Sequence, residues 1–262
     1  MATKIGIRQL VEFVLRQGDL NEVKNSQNTA LNGAKIHRQL QSSRGEDYDS
    51  EVYLKQLVTM NHTDYIIAGR ADGIQLNDDG ALIEEIKTSD QPFDELTDNT
   101  KTLYWGQLKV YGYLLLQEHP ELDQVTGQLT YFQVINEKIT KTQRILHRAE
   151  LDAFFKDLIT EYEYWLTLRA DLREKRNQSI QTLPFPFPAF RPGQHELAAA
   201  VYKTIRNQTR LFVEAPTGTG KTISTLFPAI KAMGEDVIER LFYLTAKQST
   251  RRVAEEAVTL MS

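Results

Sequence analysis

The chain has 262 residues, of which 41% are hydrophobic and 25% charged, as in ordinary soluble globular proteins. It contains no cysteine, which excludes disulfide bonds, zinc–thiolate sites and a cysteine-held iron–sulfur cluster within this segment. The 31 Lys and Arg against 35 Asp and Glu give a net charge of -4, which neither indicates nor excludes nucleic-acid binding. Without a long apolar run or a signal-peptide pattern, we expect a cytoplasmic protein that does not enter the membrane.

The first two thirds of the sequence predict alternating helices and strands. Apolar residues at helical spacing predict an amphipathic helix over 5–17, and a loop then leads into a second helix that carries His37. Strand-like alternation over 51–57 precedes two β-rich runs, 64–76 and 81–87, and the Asn-Asp-Asp-Gly between them is a hairpin signal. The remaining predicted elements of this part are a helix over 103–117, strands over 128–135 and 139–146, and a charged helix over 149–177.

A proline-rich stretch divides the sequence. Its four prolines within 184–192 remove backbone donors and fix φ, which predicts an extended linker over 181–193. The linker separates a first domain, 1–180, from a second, 194–262. In the second domain the order of predicted elements is that of a parallel βαβ unit preceded by a helix. These elements are a helix over 194–206, a strand over 210–214, a glycine loop, a helix over 221–233 and a strand over 240–245.

The predicted hairpin gathers three chemically active side chains. Because side chains alternate along a strand, Glu85 and Lys87 share one face. A turn centred on 78–79 would place Asp72 opposite Glu85, and one centred on 79–80 would place it opposite Lys87. Either two-residue turn brings all three to one face, whereas a three-residue turn would not. Two carboxylates with a backbone carbonyl suit a hard divalent cation, which would polarise a phosphate and activate water. A lysine beside them can orient that water or stabilise developing charge.

These residues resemble the PD-(D/E)xK nucleases, specifically their RecB-like branch. The pattern is completed by Gly33-Ala-Lys-Ile-His37 on the early helix and by Gln107-Leu-Lys-Val-Tyr111 on the later one. Glu51 lies where some members have a further acidic residue. The resemblance implies a restriction-endonuclease-like α/β fold, with a mixed sheet flanked by helices, and a site for Mg²⁺ or Mn²⁺. The implied metal ligands are His37, Asp72, Glu85 and Ile86, and the implied catalytic residues are Asp72, Glu85, Lys87, Gln107 and Tyr111.

The glycine loop carries a second motif, with the sequence LFVEAPTGTGKTIS over 211–224. Backbone N–H groups of such a loop can cradle phosphate at a helix N-terminus, with Lys221 on the β- and γ-phosphates and Thr222 on Mg²⁺. The loop resembles the form typical of superfamily 2 helicases, and Phe190-Arg191-Pro-Gly-Gln194 resembles their adenine-recognition segment. Together with 241–247, these motifs look most similar to the DinG and XPD helicases. The implied ATP-binding residues of this partial RecA-like P-loop unit are Arg191, Gln194, Thr217, Gly218, Thr219, Gly220, Lys221 and Thr222.

The two resemblances predict a metal-dependent DNA nuclease joined to the opening part of a DinG-like ATP-dependent helicase. We expect it to act on DNA that is single-stranded or has free ends. No Asp-Glu-x-His box and no second lobe follow the loop in this sequence, so we expect weak nucleotide binding and negligible ATP hydrolysis by this chain alone. Two alternatives stay open: a nuclease fold that tethers DNA without cutting it, and a regulatory domain of an ATPase. The presence of all four nuclease motifs favours cutting.

Overall fold

The computed structural model describes residues 2–18, 28–77, 80–216 and 218–262, and it divides into two compact units, residues 1–167 and 168–262. The strands of the described part are β1 (Thr3–Gly6), β2 (Tyr48–Met60), β3 (Thr63–Asn77), β4 (Gly80–Ser89), β5 (Gln124–Gln133) and β6 (Lys138–His147). Its α-helices are α1 (Ile7–Leu15), α2 (Asn28–Ser42), α3 (Asp98–Glu118), α4 (Arg148–Gln181), α5 (Gln194–Arg206), α6 (Lys221–Gly234) and α7 (Gln248–Thr259). None of these helices is long and apolar enough to cross a membrane.

The first unit is built on one mixed sheet, which confirms the predicted architecture of a mixed sheet flanked by helices. Its strand order is β1-β3-β4-β5-β6, and off this path β2 pairs along most of β3, whereas β1 and β4 pair with separate short stretches of β3. The β1–β3 and β4–β5 pairs are parallel, whereas β2–β3, β3–β4 and β5–β6 are antiparallel. Parallel and antiparallel pairs therefore meet at β3, β4 and β5, and the first two of these strands carry the predicted site.

The apolar core of this unit lies between the sheet and helices α1, α3 and α4. Leu108 of α3 and Leu10 of α1 are fully buried in it, and each such side chain contributes about 1.5–3 kcal/mol to folding. A Cβ at Gly106 would lie 2.8 Å from side-chain atoms of both Val11 and Leu15, so glycine lets α1 approach α3 closely. Thr97 begins α3 as its N-cap, because its side chain accepts a hydrogen bond from the Thr100 N–H. The result is a rigid α3 held against the sheet.

The observed elements correct several predicted boundaries. Residues 3–6, of which 5 and 6 were assigned to the first helix, form β1 instead, since Ile5 pairs in parallel with Ile67. A four-residue strand is too short to show a periodicity of its own. Its last two residues were therefore assigned to the helix whose apolar pattern follows. The strand predicted over 51–57 is longer at both ends, because almost the whole of β2 pairs with β3.

The second unit is helical in the part of it that the structure describes. A small apolar cluster joins Ile223 and Leu226 of α6 to Ala254 and Ala257 of α7, with Phe185 packed against it. Phe185 also stacks on Phe190 at 3.9 Å between ring centroids. The chain between α4 and α5 is thus packed on its own unit by aromatic rings.

The strands predicted over 210–214 and 240–245 are wrong for this structure. No strand pairing is formed by either segment within the described residues. Their apolar side chains are largely exposed, with Phe212 at 93% and Leu244 at 90%. A β-strand needs a neighbour that accepts its backbone hydrogen bonds, and an apolar run does not create that neighbour. The βαβ unit predicted from this pattern is therefore not shown.

Candidate functional site

The β3–β4 ladder ends where the sequence places the nuclease residues. Its register runs from Asn77↔Gly80 to Gly73↔Glu84. The continuation of this register sets Asp72 opposite Glu85, one of the two predicted arrangements; residues 78 and 79, where the turn was predicted, lie outside the described part of the chain. Beyond the pair Gly73↔Glu84, a side-chain contact takes the place of backbone pairing, because the Ile86 N–H donates to Asp72 Oδ2 at 2.6 Å. The two strands therefore separate at Asp72.

The neighbouring strand β2 is distorted at the same level. Glu51 has a φ of 56°, in the left-handed region that non-glycine residues rarely occupy, and it interrupts an otherwise continuous β2–β3 register. Gln41 of α2 covers this point, since its Nε2 donates to the Asp72 carbonyl at 2.8 Å and to Glu51 Oε1 at 3.3 Å. Strained backbone of this kind is found preferentially at functional sites, where surrounding contacts hold it in place.

The charged side chains of the site are joined by short contacts. Lys87 Nζ donates to Glu85 Oε1 at 2.5 Å and to Gln107 Oε1 at 3.0 Å. The same ammonium lies 5.3 Å from the centroid of the Tyr104 ring. His37 Nδ1 lies 3.4 Å from Asp72 Oδ1. Helices α2 and α3 therefore bring His37 and Gln107 to the two strands that carry the carboxylates and the lysine.

Burial and these contacts shift the protonation of the site. Burial raises the pKa of Glu85, an effect that Lys87 opposes and the Asp72 charge reinforces. The hydrogen bond to Asp72 raises the pKa of His37, despite the opposing effect of burial. The two groups thus bind protons more tightly than in water, so protons would compete with a cation for them.

Tyr111 occupies a different place from the other predicted residues. Its hydroxyl donates to the Arg70 carbonyl at 2.8 Å, and burial raises its pKa well above the usual range. It therefore fixes β3 just before Asp72, whereas Gln107 is the residue that contacts Lys87. Gln41 and Tyr104 were not predicted as site residues, although helical spacing from His37 and Gln107 places each on the relevant helix face.

The donor set of the site matches a divalent cation in its chemistry. Two carboxylates, a backbone carbonyl at Ile86 and an imidazole are ligands that Mg²⁺ and Mn²⁺ accept. The described residues contain no group of three or more His, Asp or Glu side chains arranged to hold a metal ion. Each carboxylate is already engaged, Asp72 by the Ile86 N–H and His37, and Glu85 by Lys87. Cation binding would therefore exchange protein partners for metal.

The glycine loop of the second unit has the backbone of a turn. Gly218 and Gly220 have φ values of 89° and 72°, in the left-handed region that favours glycine, and Gly220 precedes α6 as its N-cap. Lys221 Nζ donates to the carbonyls of Ala215 and Pro216, each at 2.8 Å. The lysine thus folds back over its own loop.

The other predicted nucleotide-binding residues surround this loop. Arg191 Nη1 donates to the Gly218 carbonyl at 2.7 Å, and the Arg191 N–H donates to Gln194 Oε1 at 2.9 Å. Thr219 donates to the Pro216 carbonyl, and Thr222 lies in the first turn of α6. Thr217 lies outside the described residues. The structure therefore brings Arg191 and Gln194 close to the loop. Their distance from the loop along the sequence does not reveal this proximity.

Comparisons with known proteins bear mainly on the first unit. A sequence profile of the PD-(D/E)XK nuclease superfamily matches residues 8–207. A relative from Methanocaldococcus jannaschii, named "Probable ATP-dependent helicase MJ0942", is 46% identical over 46 residues, which are 18% of this chain and 7% of the relative's length. The crystal structure of SSO0001 has a TM-score of 0.41 and 22% identity, covering 61% of this chain and 76% of that one. Since the profile spans more than half of the sequence, the chain belongs to the PD-(D/E)XK nuclease superfamily.

Proposed function

We propose that the first unit hydrolyses phosphodiester bonds in DNA and that it requires Mg²⁺ or Mn²⁺. The observation that carries this proposal is the convergence of Asp72, Glu85 and Lys87 at the point where β3 and β4 separate. A binding surface for DNA would need positive charge, but it would not need a desolvated carboxylate beside a lysine. That combination is what hydrolysis of a phosphodiester requires.

The metal ligands in this proposal are Asp72, Glu85, the Ile86 carbonyl and His37. A bound divalent cation would polarise the phosphate and lower the pKa of a water molecule. Glu85 is nearly excluded from water, at 5% exposure, so little hydration is lost when a cation replaces Lys87 as its partner. Asp72 stays oriented throughout by the Ile86 N–H.

Lys87 has the role of placing positive charge beside the scissile phosphate. Its ammonium is aimed by Gln107 Oε1 at 3.0 Å, and the Tyr104 ring lies beneath it. With a cation held by Glu85, both neighbours would still position the ammonium, which would then have a donor for a phosphate oxygen or the attacking water. Gln107 is therefore a positioning residue, and Tyr111 stabilises the strand.

A cleavage assay tests this proposal directly. End-labelled single-stranded and duplex DNA would be incubated with the full chain in Mg²⁺, Mn²⁺ or EDTA. We expect cation-dependent cutting that falls at least about a hundredfold in Asp72→Ala and in Lys87→Ala. Lys156→Ala is the matched control, because Lys156 is exposed on α4. Intact DNA under every cation, bound equally by all variants, would instead support the tethering alternative.

The second unit supports a second candidate function, binding of a nucleoside triphosphate. Gly218 and Gly220 form a left-handed turn before α6, and Lys221 bonds to loop carbonyls that a phosphate could replace as its partners. The partial match to a helicase-named relative is consistent with a DinG-like ATP-dependent helicase-nuclease. Binding of a fluorescent ATP analogue tests it. We expect Lys221→Ala to weaken binding about tenfold or more, and Lys203→Ala, at an exposed site on α5, to leave it unchanged. Equal binding by both variants would refute it.

A further inference from the structure

The reverse side of β4 carries a second carboxylate, Glu84, that has no part in the site described above. It adjoins Glu85, but side chains alternate along a strand, so the two point to opposite faces. Glu84 is completely buried, with no exposed surface. An ionised carboxylate in such a position is costly unless several donors surround it, so its partners indicate what it holds together.

Four side chains from three segments converge on Glu84. Arg44 forms a two-pronged contact, with Nε 3.1 Å from Oε2 and Nη2 bonded to Oε1. Tyr48 donates its hydroxyl to Oε2 at 2.7 Å. Gln128 and Thr130 of β5 donate to Oε1 at 2.7 and 2.5 Å. The carboxylate thus joins the central strands β4 and β5 to the short segment between α2 and β2.

The part of α2 whose side chains the structure describes, residues 33–42, needs such an anchor, because little apolar packing holds it. Among residues 33–42, whose side chains the structure describes, Leu40 is the single buried apolar side chain. Neither Leu40 nor Ile36 belongs to the main apolar core of the unit. Polar contacts therefore do much of the work of holding residues 33–42 of α2 on the sheet.

The same helix delivers two side chains to the active site. His37 lies 3.4 Å from Asp72 Oδ1, and Gln41, one turn later, donates to the Asp72 carbonyl. Arg44 follows just after the helix ends at Ser42. An anchor at Arg44 therefore fixes the helix end nearest to Gln41 and His37.

We propose that Arg44, Tyr48 and Glu84 form a clamp that holds α2 on the sheet and so places His37 beside Asp72. These three are positioning residues: their side chains bond to one another and to β5 rather than to the side chains of the predicted metal ligands, and they act through the helix. The effect of the clamp on cation binding rests on the proposed metal-dependent function. Its effect on the helix does not.

Hydrogen–deuterium exchange of the metal-free full chain tests the clamp itself. In Arg44→Gln we expect amide exchange across 33–42 to rise at least about tenfold, while the paired part of β3 stays protected. Arg38→Gln is the matched control on the same helix, since among the described residues the Arg38 side chain donates to the Ala34 carbonyl within α2 and takes no part in the clamp. Unchanged exchange of α2 in Arg44→Gln would overturn the clamp whatever the nuclease assay shows. If that variant fails to fold, Tyr48→Phe, which removes one hydrogen bond, replaces it under the same criterion.

Mn²⁺ binding by calorimetry then tests whether the clamp acts through His37. Substitutions that disturb the support of a metal ligand weaken metal binding by about 10–100-fold, and we expect Arg44→Gln to do so. In a His37→Ala background the same substitution should change Mn²⁺ affinity less than about threefold, because the residue that it positions is gone. Equal losses in both backgrounds would contradict positioning through His37. Absence of Mn²⁺ binding by the unmodified chain would refute the proposed function and leave the exchange result to decide the clamp.

Discussion

Gly73 is the position where a single methyl group should reveal how tightly the clamp is packed. A Cβ at Gly73 would lie 1.8 Å from Tyr48 Oη and 1.9 Å from Tyr48 Cζ, far inside contact distance. Gly73→Ala must therefore push the Tyr48 ring away from Glu84. The backbone of Gly73 is not in the left-handed region, so alanine itself is tolerated by the local conformation.

The expected loss of stability follows from three effects. Overpacking of this kind costs about 1–3 kcal/mol. Loss of the Tyr48 hydrogen bond to a buried carboxylate costs about 1.5–3 kcal/mol. Alanine also reduces the conformational entropy of the unfolded chain, which stabilises the folded state by about 0.4–1 kcal/mol. We expect Gly73→Ala to lower the free energy of unfolding by about 2–5 kcal/mol, which corresponds to a fall in Tm of about 5–15 °C.

Tryptophan fluorescence during urea unfolding measures this change in the first unit alone, because both tryptophans, Trp105 and Trp165, lie within it. Gly45→Ala is the control, since a Cβ there would meet no atom within 4 Å. In a Tyr48→Ala background the clash disappears, and Gly73→Ala should become neutral or slightly stabilising. A cost above about 1 kcal/mol in that background would show that the ring of Tyr48 is not what restricts residue 73.

Three further predictions concern the site and its supports. Tyr111→Phe should destabilise the first unit by about 0.5–1.5 kcal/mol, because the part-buried hydrogen bond from its hydroxyl to the Arg70 carbonyl is lost, and urea unfolding would measure this; an unchanged midpoint would contradict the contact. The raised pKa of Glu85 means that its contribution to stability is complete below about pH 4.5 and is lost as pH rises through the folded value. In EDTA, the Tm of Glu85→Gln should therefore exceed that of the unmodified chain by more at about pH 8 than at about pH 5, and a gap independent of pH would refute the burial argument. Saturating Mn²⁺ should raise the Tm of the unmodified chain, since it binds the folded state, but not that of Asp72→Ala; equal shifts would place the cation elsewhere.

The grouping of the candidate site residues could be predicted because their spacing follows the geometry of single elements. Alternation along β4 sets Glu85 and Lys87 on one face, and the hairpin register brings Asp72 to them. Helical spacing similarly fixes which face of α3 Gln107 occupies. These relations are local, so the candidate site could be inferred without knowing how the elements pack, whereas the mixed sheet flanked by helices was expected from the resemblance to the PD-(D/E)xK nucleases.

The clamp could not be predicted in this way. In the sequence, Glu84 is one more acidic residue beside Glu85, and its burial depends on Gln128 and Thr130, which β5 brings to it from far along the chain. The apolar runs over 210–214 and 240–245 show the converse, since their patterns predict strands but supply no partners. The sequence by itself determined the chemistry of the site and the face of each element that bears it. Only the tertiary structure decided which strands pair, which carboxylate is buried and what holds α2, because pairing and burial depend on residues that are distant in the chain.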